Sequence, residues 1–409
     1  MTPASLPLGP SRVHFAAMSR VALTLLVLIA SSAGCAGAAP TPHNQSHAEP
    51  HKAKQVGVER QVITATDESS LSELFEKAKR DFDAKRFEAA ARGFQRVYEL
   101  EPKGKLAPHA LLNSAHALDE AGQLEAAYSG YRRTLAEFPQ SEVARDALVR
   151  AVRLASFLER WSDAGQLADQ GITRYPNLSP FEEVSLRSGK ALELLQAGDV
   201  ERAMYHIERA RGVVESSQLD RAGRLPTELA QLYFALGEAR RIRGEAIVFT
   251  PTPPNFGEVL ERRAQLLLDA QSAYSDTMRA YDAHWSAMAG FRVGELYKRL
   301  HDDLMHVSPP PSADTERKRQ LFEGAMRLRY SVLLKKGLQL IKHTLSMAAR
   351  TAEESTWVSK ARSAKQELEA AIQRENAAID ALPYTRAQLQ AALDDLSQRA
   401  TAKTTPPPP

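Results

Sequence analysis

One register recurs along this chain and limits what it is able to fold into. Phe87-Glu88-Ala89-Ala90 returns as Leu124-Glu125-Ala126-Ala127 and again as Trp161-Ser162-Asp163-Ala164, each step 37 residues long. Pro102, Pro139 and Pro176 keep the same step. Ala78 and Ala115 stand twelve residues before the central alanine, with Val152 in the third unit, and Phe94, Tyr131 and Ala168 stand four after it. A fourth unit (Ala191, Leu194, Gly198, Ala203, Ile207, Ala210) keeps the internal spacings without the closing proline. A fixed period of this size is one supersecondary unit stacked several times, because a single unit cannot bury its own apolar face.

Small residues at 78, 90, 115, 127, 191 and 203 let two antiparallel helices approach closely. Phe94, Tyr131 and Ile207 fill the groove on the next unit. Gly122-Gln123 and Gly198-Asp199 mark the turn within a pair, and a proline after the second helix ends it. These motifs resemble the tetratricopeptide repeat, lengthened by three from its usual length of about 34 residues. The lengthening, with Pro139-Gln140-Ser141 leading into Ala144 and Ala147, is similar to repeats of envelope-associated lipoproteins in double-membrane bacteria. The resemblance implies an all-α, tetratricopeptide-type helical-repeat solenoid over residues 71–215.

Residues 216–400 stay helical but lose the strict repeat, either as degenerate repeats or as a separate bundle. Leu229, Leu232, Tyr233 and Leu236 give residues 227–248 a helical spacing. Prolines at 251, 253 and 254 and at 309–311 break the pattern. Between these breaks, residues 259–304 read as a helix pair packed through Tyr274, Tyr281, Trp285, Phe291 and Tyr297. Long helices are predicted over 316–382 and 384–399, before a proline-rich tail at 401–409. Gly290 to Tyr297, the triple proline and Trp357-Val358 resemble the second half of repeat lipoproteins found with gliding-motility machinery.

The N-terminus reads as an address. Residues 21–30 (VALTLLVLIA) form a ten-residue apolar run flanked by Arg12 and Arg20, too short to span a bilayer and suited to a signal-peptide core. Met18 is an alternative start. Ser32-Ala33-Gly34-Cys35 resembles the lipobox of bacterial lipoproteins, with Ser32 in place of the preferred leucine. The resemblance implies that residues 1–35 form a lipoprotein signal and that Cys35, the single cysteine of the chain, carries lipid. By resemblance to lipoprotein sorting in double-membrane bacteria, Ala36 after it implies the periplasmic face of the outer membrane. Residues 36–69, rich in Ala, Pro, His, Gln and Thr, read as a tether. His43, His47 and His51 lie four apart, but Pro40, Pro42 and Pro50 argue against the helix that would make them metal ligands.

With 53 basic and 50 acidic side chains in 409 residues, the near-neutral balance argues against nucleic acid as a partner. One cysteine excludes a thiolate metal cage. Ser188-Gly189-Lys190 lacks the upstream glycine of a phosphate loop, and neither a His-Glu-x-x-His nor a Gly-x-Ser-x-Gly motif occurs. His301 and His306 are expected at the surface, and Glu182-Glu183, Asp302-Asp303 and Glu353-Glu354 read as solvated faces. No catalytic residue, cofactor or small-molecule substrate is expected.

A stack of helix pairs offers instead a groove lined by the first helix of each pair. Repeat arithmetic places Lys79 and Phe82 there, then Leu112, Asn113, His116 and Asp119, then Arg150 and Arg153 beside Val149. Lys79, His116 and Arg153 share one repeat position, and Asn113 and Arg150 share another. Such donors suit an extended peptide or its carboxylate. Phe75, Leu112 and Val149 stand where the peptide clamp of chaperone-binding repeats has a polar residue. The expected role is a lipid-anchored scaffold for envelope proteins or peptides, in a motility, secretion or pilus-type assembly. The alternative is a factor that binds or remodels peptidoglycan or another glycan.

Overall fold

The computed structural model describes residues 68–221, 225–391 and 393. Cys35, the apolar run before it, the tether and the proline-rich tail lie outside these. The described residues form two compact units, 68–147 and 148–393, and the division falls inside a helix after Ala147. Every regular element among them is a helix.

The first unit holds α1 (Glu68–Asp83), α2 (Phe87–Leu100), α3 (Ala107–Glu120), α4 (Leu124–Glu137) and the start of α5 (Ala144–Phe157). Antiparallel pairing follows from the small residues of the repeat. A Cβ added to Gly93 would lie 2.7 Å from the Ala78 Cβ, and one added to Gly130 would lie 2.8 Å from the Ala115 Cβ. At equivalent positions of both pairs a glycine backbone meets the alanine Cβ of the facing helix. Ala90, Phe94, Ala127 and Tyr131 are buried, as expected. Phe75 packs edge-on to Phe94 with ring centroids 5.1 Å apart, so this repeat position feeds the core.

The turn within a pair also repeats. Lys85 (φ 58°), Gly122 (φ 75°) and Glu159 (φ 58°) stand 37 residues apart in the left-handed region, and Gly198 (φ 82°), 39 residues further on, takes the same conformation. In each turn the next amide donates to the carbonyl five residues back, from Arg86 to Asp81, Gln123 to Leu118, Arg160 to Ala155 and Asp199 to Leu194. These bonds satisfy carbonyls that a helix end would otherwise strand.

The second unit continues with α6 (Trp161–Arg174), α7 (Pro180–Gln196), α8 (Val200–Ser216), α9 (Thr227–Glu245), α10 (Phe256–Met278), α11 (Ala283–Met305), α12 (Glu316–Thr351) and α13 (Thr356–Asp380). Ser179 caps α7 through a reciprocal pair with Glu182, and Asp282 caps α11 by accepting from the Trp285 amide at 3.0 Å. From α7 onward each helix packs on the next, and alternate helices also touch: α7 on α9, α9 on α11, α11 on α13. That is the packing order of stacked pairs, so the region without sequence repeats keeps the tetratricopeptide-type arrangement with longer helices.

The first helices of these pairs converge. Gln231 of α9 donates to the Ser156 hydroxyl of α5 at 2.7 Å, and a Cβ on Gly189 of α7 would meet Val152 at 2.6 Å. The Trp357 indole N–H donates to the Glu159 carboxylate at 2.7 Å, across 198 residues, and Phe157 stacks on His284 at 4.1 Å. As a result α9 is buried on all sides, including Gln231 and Glu238.

The structure departs from the expected pattern at Tyr281, His301 and Ala352. Tyr281 is not part of the packing stripe: it occupies the left-handed turn position before α11 (φ 56°) and is 68% exposed. Tyr274, Trp285 and Tyr297 are buried. His301 is buried rather than at the surface. Five residues turn a helix by about 140°, so burying His301 leaves His306 exposed. The helix predicted over 316–382 breaks at Ala352, which takes the left-handed cap (φ 53°) while the Glu353 amide donates to the Ala348 carbonyl.

Candidate partner-binding site

In the first unit, α1 and α3 bring Phe82 and His116 together, with ring centroids 5.0 Å apart. The His116 Nε2 lies 3.6 Å from Glu120 on the same helix. Lys79 is exposed one turn before Phe82, and Asn113 is half-buried one turn before His116. Residues three apart share a helix face, so these four form one polar and aromatic strip. Two other predicted groove residues serve the fold. Leu112 is buried, and Asp119 accepts a hydrogen bond from the buried Tyr131 hydroxyl at 3.1 Å, tying α3 to α4. Arg150 and Arg153 are half-buried on α5 and belong to the second unit.

The second unit contains a buried charge cluster that the sequence did not reveal. Glu238 on α9 accepts from the Tyr274 hydroxyl of α10 at 2.5 Å and from Arg241 at 2.8 Å. The Arg292 Nε of α11 lies 3.0 Å from the same carboxylate, and its guanidinium reaches Glu295 at 2.7 Å. Burial pushes the Glu238 carboxyl up, but Arg292, Arg241 and the Tyr274 hydroxyl together hold it below its ordinary value. Burial and the adjacent carboxylate hold the Tyr274 hydroxyl well above its ordinary value. Glu238 therefore stays ionised and Tyr274 stays protonated. The cluster fixes α9, α10 and α11 to one another, and its electron pairs are already taken.

Next to this cluster, α11 and α13 enclose an open groove of about 490 Å3. Its walls come from positions 291–302 of α11 and 356–368 of α13 at three- and four-residue steps. At one end Phe291 and Trp357 pack with centroids 5.5 Å apart. Toward the other end Lys298 bridges Asp302 at 3.0 Å and Glu367 at 3.7 Å. Repeat arithmetic does not reach this groove, because the period is lost after residue 215. The available signal was the helical recurrence of Thr356, Ser359, Lys360, Ser363 and Glu367 behind Trp357.

Among the described residues there is no group of three or more His, Cys, Asp or Glu side chains placed to hold a metal ion. No described helix is long and apolar enough to cross a membrane. Ser188-Gly189-Lys190 lies inside α7, where Lys190 pairs with Asp169 at 2.7 Å.

No protein-family model matches the chain, and no curated protein matches it. Among the solved structures that align with the chain are two with tetratricopeptide repeats. One is a tetratricopeptide repeat protein from Parabacteroides merdae ATCC 43184, at 12% identity over 74% of this chain and 99% of that one, with a TM-score of 0.41. The other is the TPR2AB domain of yeast Sti1 in its pHSP90 complex, at 12% identity over 75% and 99% of the two chains, with a TM-score of 0.25. The fold assignment stands on the helix pairing described above.

Proposed function

We propose that this chain is a non-catalytic scaffold that binds partner proteins in the cell envelope, held at the periplasmic face of the outer membrane by lipid on Cys35. The observation that carries the reading is the strip Lys79, Phe82, Asn113 and His116. It is a polar and aromatic surface presented by the first helices of two stacked pairs. The lipobox-like Ser32-Ala33-Gly34-Cys35 supports the anchor. Glu137, Asp199, Glu238, Asp302 and Asp314 all sit below their ordinary carboxyl values, the opposite of what a general acid acting on cell-wall polymer needs. The partners would belong to a motility, secretion or pilus-type assembly.

Two experiments test the reading. Replacing Lys79 and Asn113 together with alanine should weaken partner capture in cross-linked cells while the thermal transition stays put; undiminished capture would remove the strip as the binding surface. Cys35→Ser should abolish labelling with a palmitate analogue and release the protein from the membrane fraction. A labelled or still membrane-bound Cys35→Ser protein would remove the anchor.

A further inference from the structure

The geometry points to the groove between α11 and α13 as a second binding site, one that takes an extended segment of a partner protein carrying a single side-chain carboxylate among neutral residues. The inference rests on the partner-binding reading above and assigns it a ligand chemistry. Size sets the first limit. Positions 291–302 of α11 give the groove a length of about 16 Å at about 1.5 Å per helical residue. An extended peptide advances about 3.3 Å per residue, so roughly five residues fit along it.

Charge sets the second limit. Each lining carboxylate already has a cation: Glu295 takes Arg292, while Asp302 and Glu367 share Lys298. Arg299 has Asp303 at 3.6 Å. Lys360 differs from them. Its ammonium lies 3.7 Å from the centroid of the Trp357 ring, and among the described residues it has no carboxylate within ion-pair distance. A ligand carboxylate would complete a carboxylate–ammonium–indole stack, in which the charge-assisted bond and the ring quadrupole act on the same cation.

The walls set the third. The hydroxyls of Thr356, Ser359 and Ser363 line the groove and have no hydrogen-bond partner among the described residues. They suit the amides and carbonyls of a main chain, while Phe291 and Leu368 supply apolar floor for side chains. A compact anion such as phosphate would meet Glu295, Asp302 and Glu367 on the same walls. An extended chain sets one carboxylate at Lys360 and keeps neutral groups elsewhere.

The test passes a degenerate pentapeptide library, acetylated and amidated at its ends, over the immobilised full chain and sequences what is retained. Glu and Asp should be enriched about tenfold over Gln and Asn at one position, the scale of one charge-assisted bond. Lys360→Ala should abolish the enrichment and Lys360→Arg should keep it. Lys360 is exposed, so the helical circular dichroism and melting of both variants should match the parent. Equal retention of acid and amide, or enrichment that survives Lys360→Ala, would overturn the site. So would enrichment confined to free C-terminal acids, or its loss to equimolar inorganic phosphate. Failure here with partner capture intact in cells leaves the scaffold reading standing. A native chain that captures no partner removes the scaffold reading whatever the library shows.

Discussion

Lys85 holds a backbone angle that glycine holds one repeat later at Gly122. The left-handed conformation strains any residue with a Cβ, so Lys85→Gly should raise stability by up to about 1 kcal/mol, as read by urea denaturation. A variant less stable than the parent would mean that the lysine side chain outweighs the strain. Glu238 supplies the opposite case, a residue held by its partners against its burial. Glu238→Gln leaves Arg241 and Arg292 facing a neutral amide in a dry site, and should lose about 3–5 kcal/mol. The sign with pH follows from the depressed carboxyl. Its contribution is fully present above the unfolded value of about 4.3 and is lost as pH falls through the lower folded value, so the parent should weaken in that window more steeply than Glu238→Gln. Parallel stability curves for the two proteins would refute this. The sequence held no sign of the cluster, since Glu238, Tyr274 and Arg292 have no common spacing and meet through three different helices. Tyr281 was misplaced because aromatic spacing does not show that a residue caps a turn.

At the level of helices, the close crossings of α1 on α2 and α3 on α4 depend on glycine facing alanine. Gly130→Ala places a Cβ 2.8 Å from the Ala115 Cβ and should cost about 1–3 kcal/mol by overpacking. Adding Ala115→Gly should recover part of that loss, so the double mutant falls short of the sum of its parts. Strict additivity would show that the helices shift apart freely. The four helix pairs, their turns and the meeting of Phe82 with His116 were legible because the repeat fixes phase as well as type. Leu112 and Asp119 share that phase, but burial and the Tyr131 bond put them to structural use. The break at Ala352 and the groove at Lys360 were not legible. Alanine normally extends a helix, and the lengthened helices after residue 225 carry no period from which to count.

For the molecule as a whole, the second unit departs from the behaviour of an open repeat array, in which each member senses only its neighbours. Glu159 in the turn of the third pair holds Trp357 at the start of α13, with Phe157 on His284 beside it. Glu159→Ala leaves a buried indole N–H unpaired and should lower opening free energies by about 1–3 kcal/mol. The loss should appear together in the α5–α6 turn and the first turns of α13, as read by native-state hydrogen exchange. Faster exchange in α13 alone would mean that the contact carries no coupling. The same bridge bears on mechanics. A coil whose early and late turns are fastened together has no slack to pay out one turn after another. Pulled from its ends, the second unit should therefore yield as one block in a single event that begins at the indole.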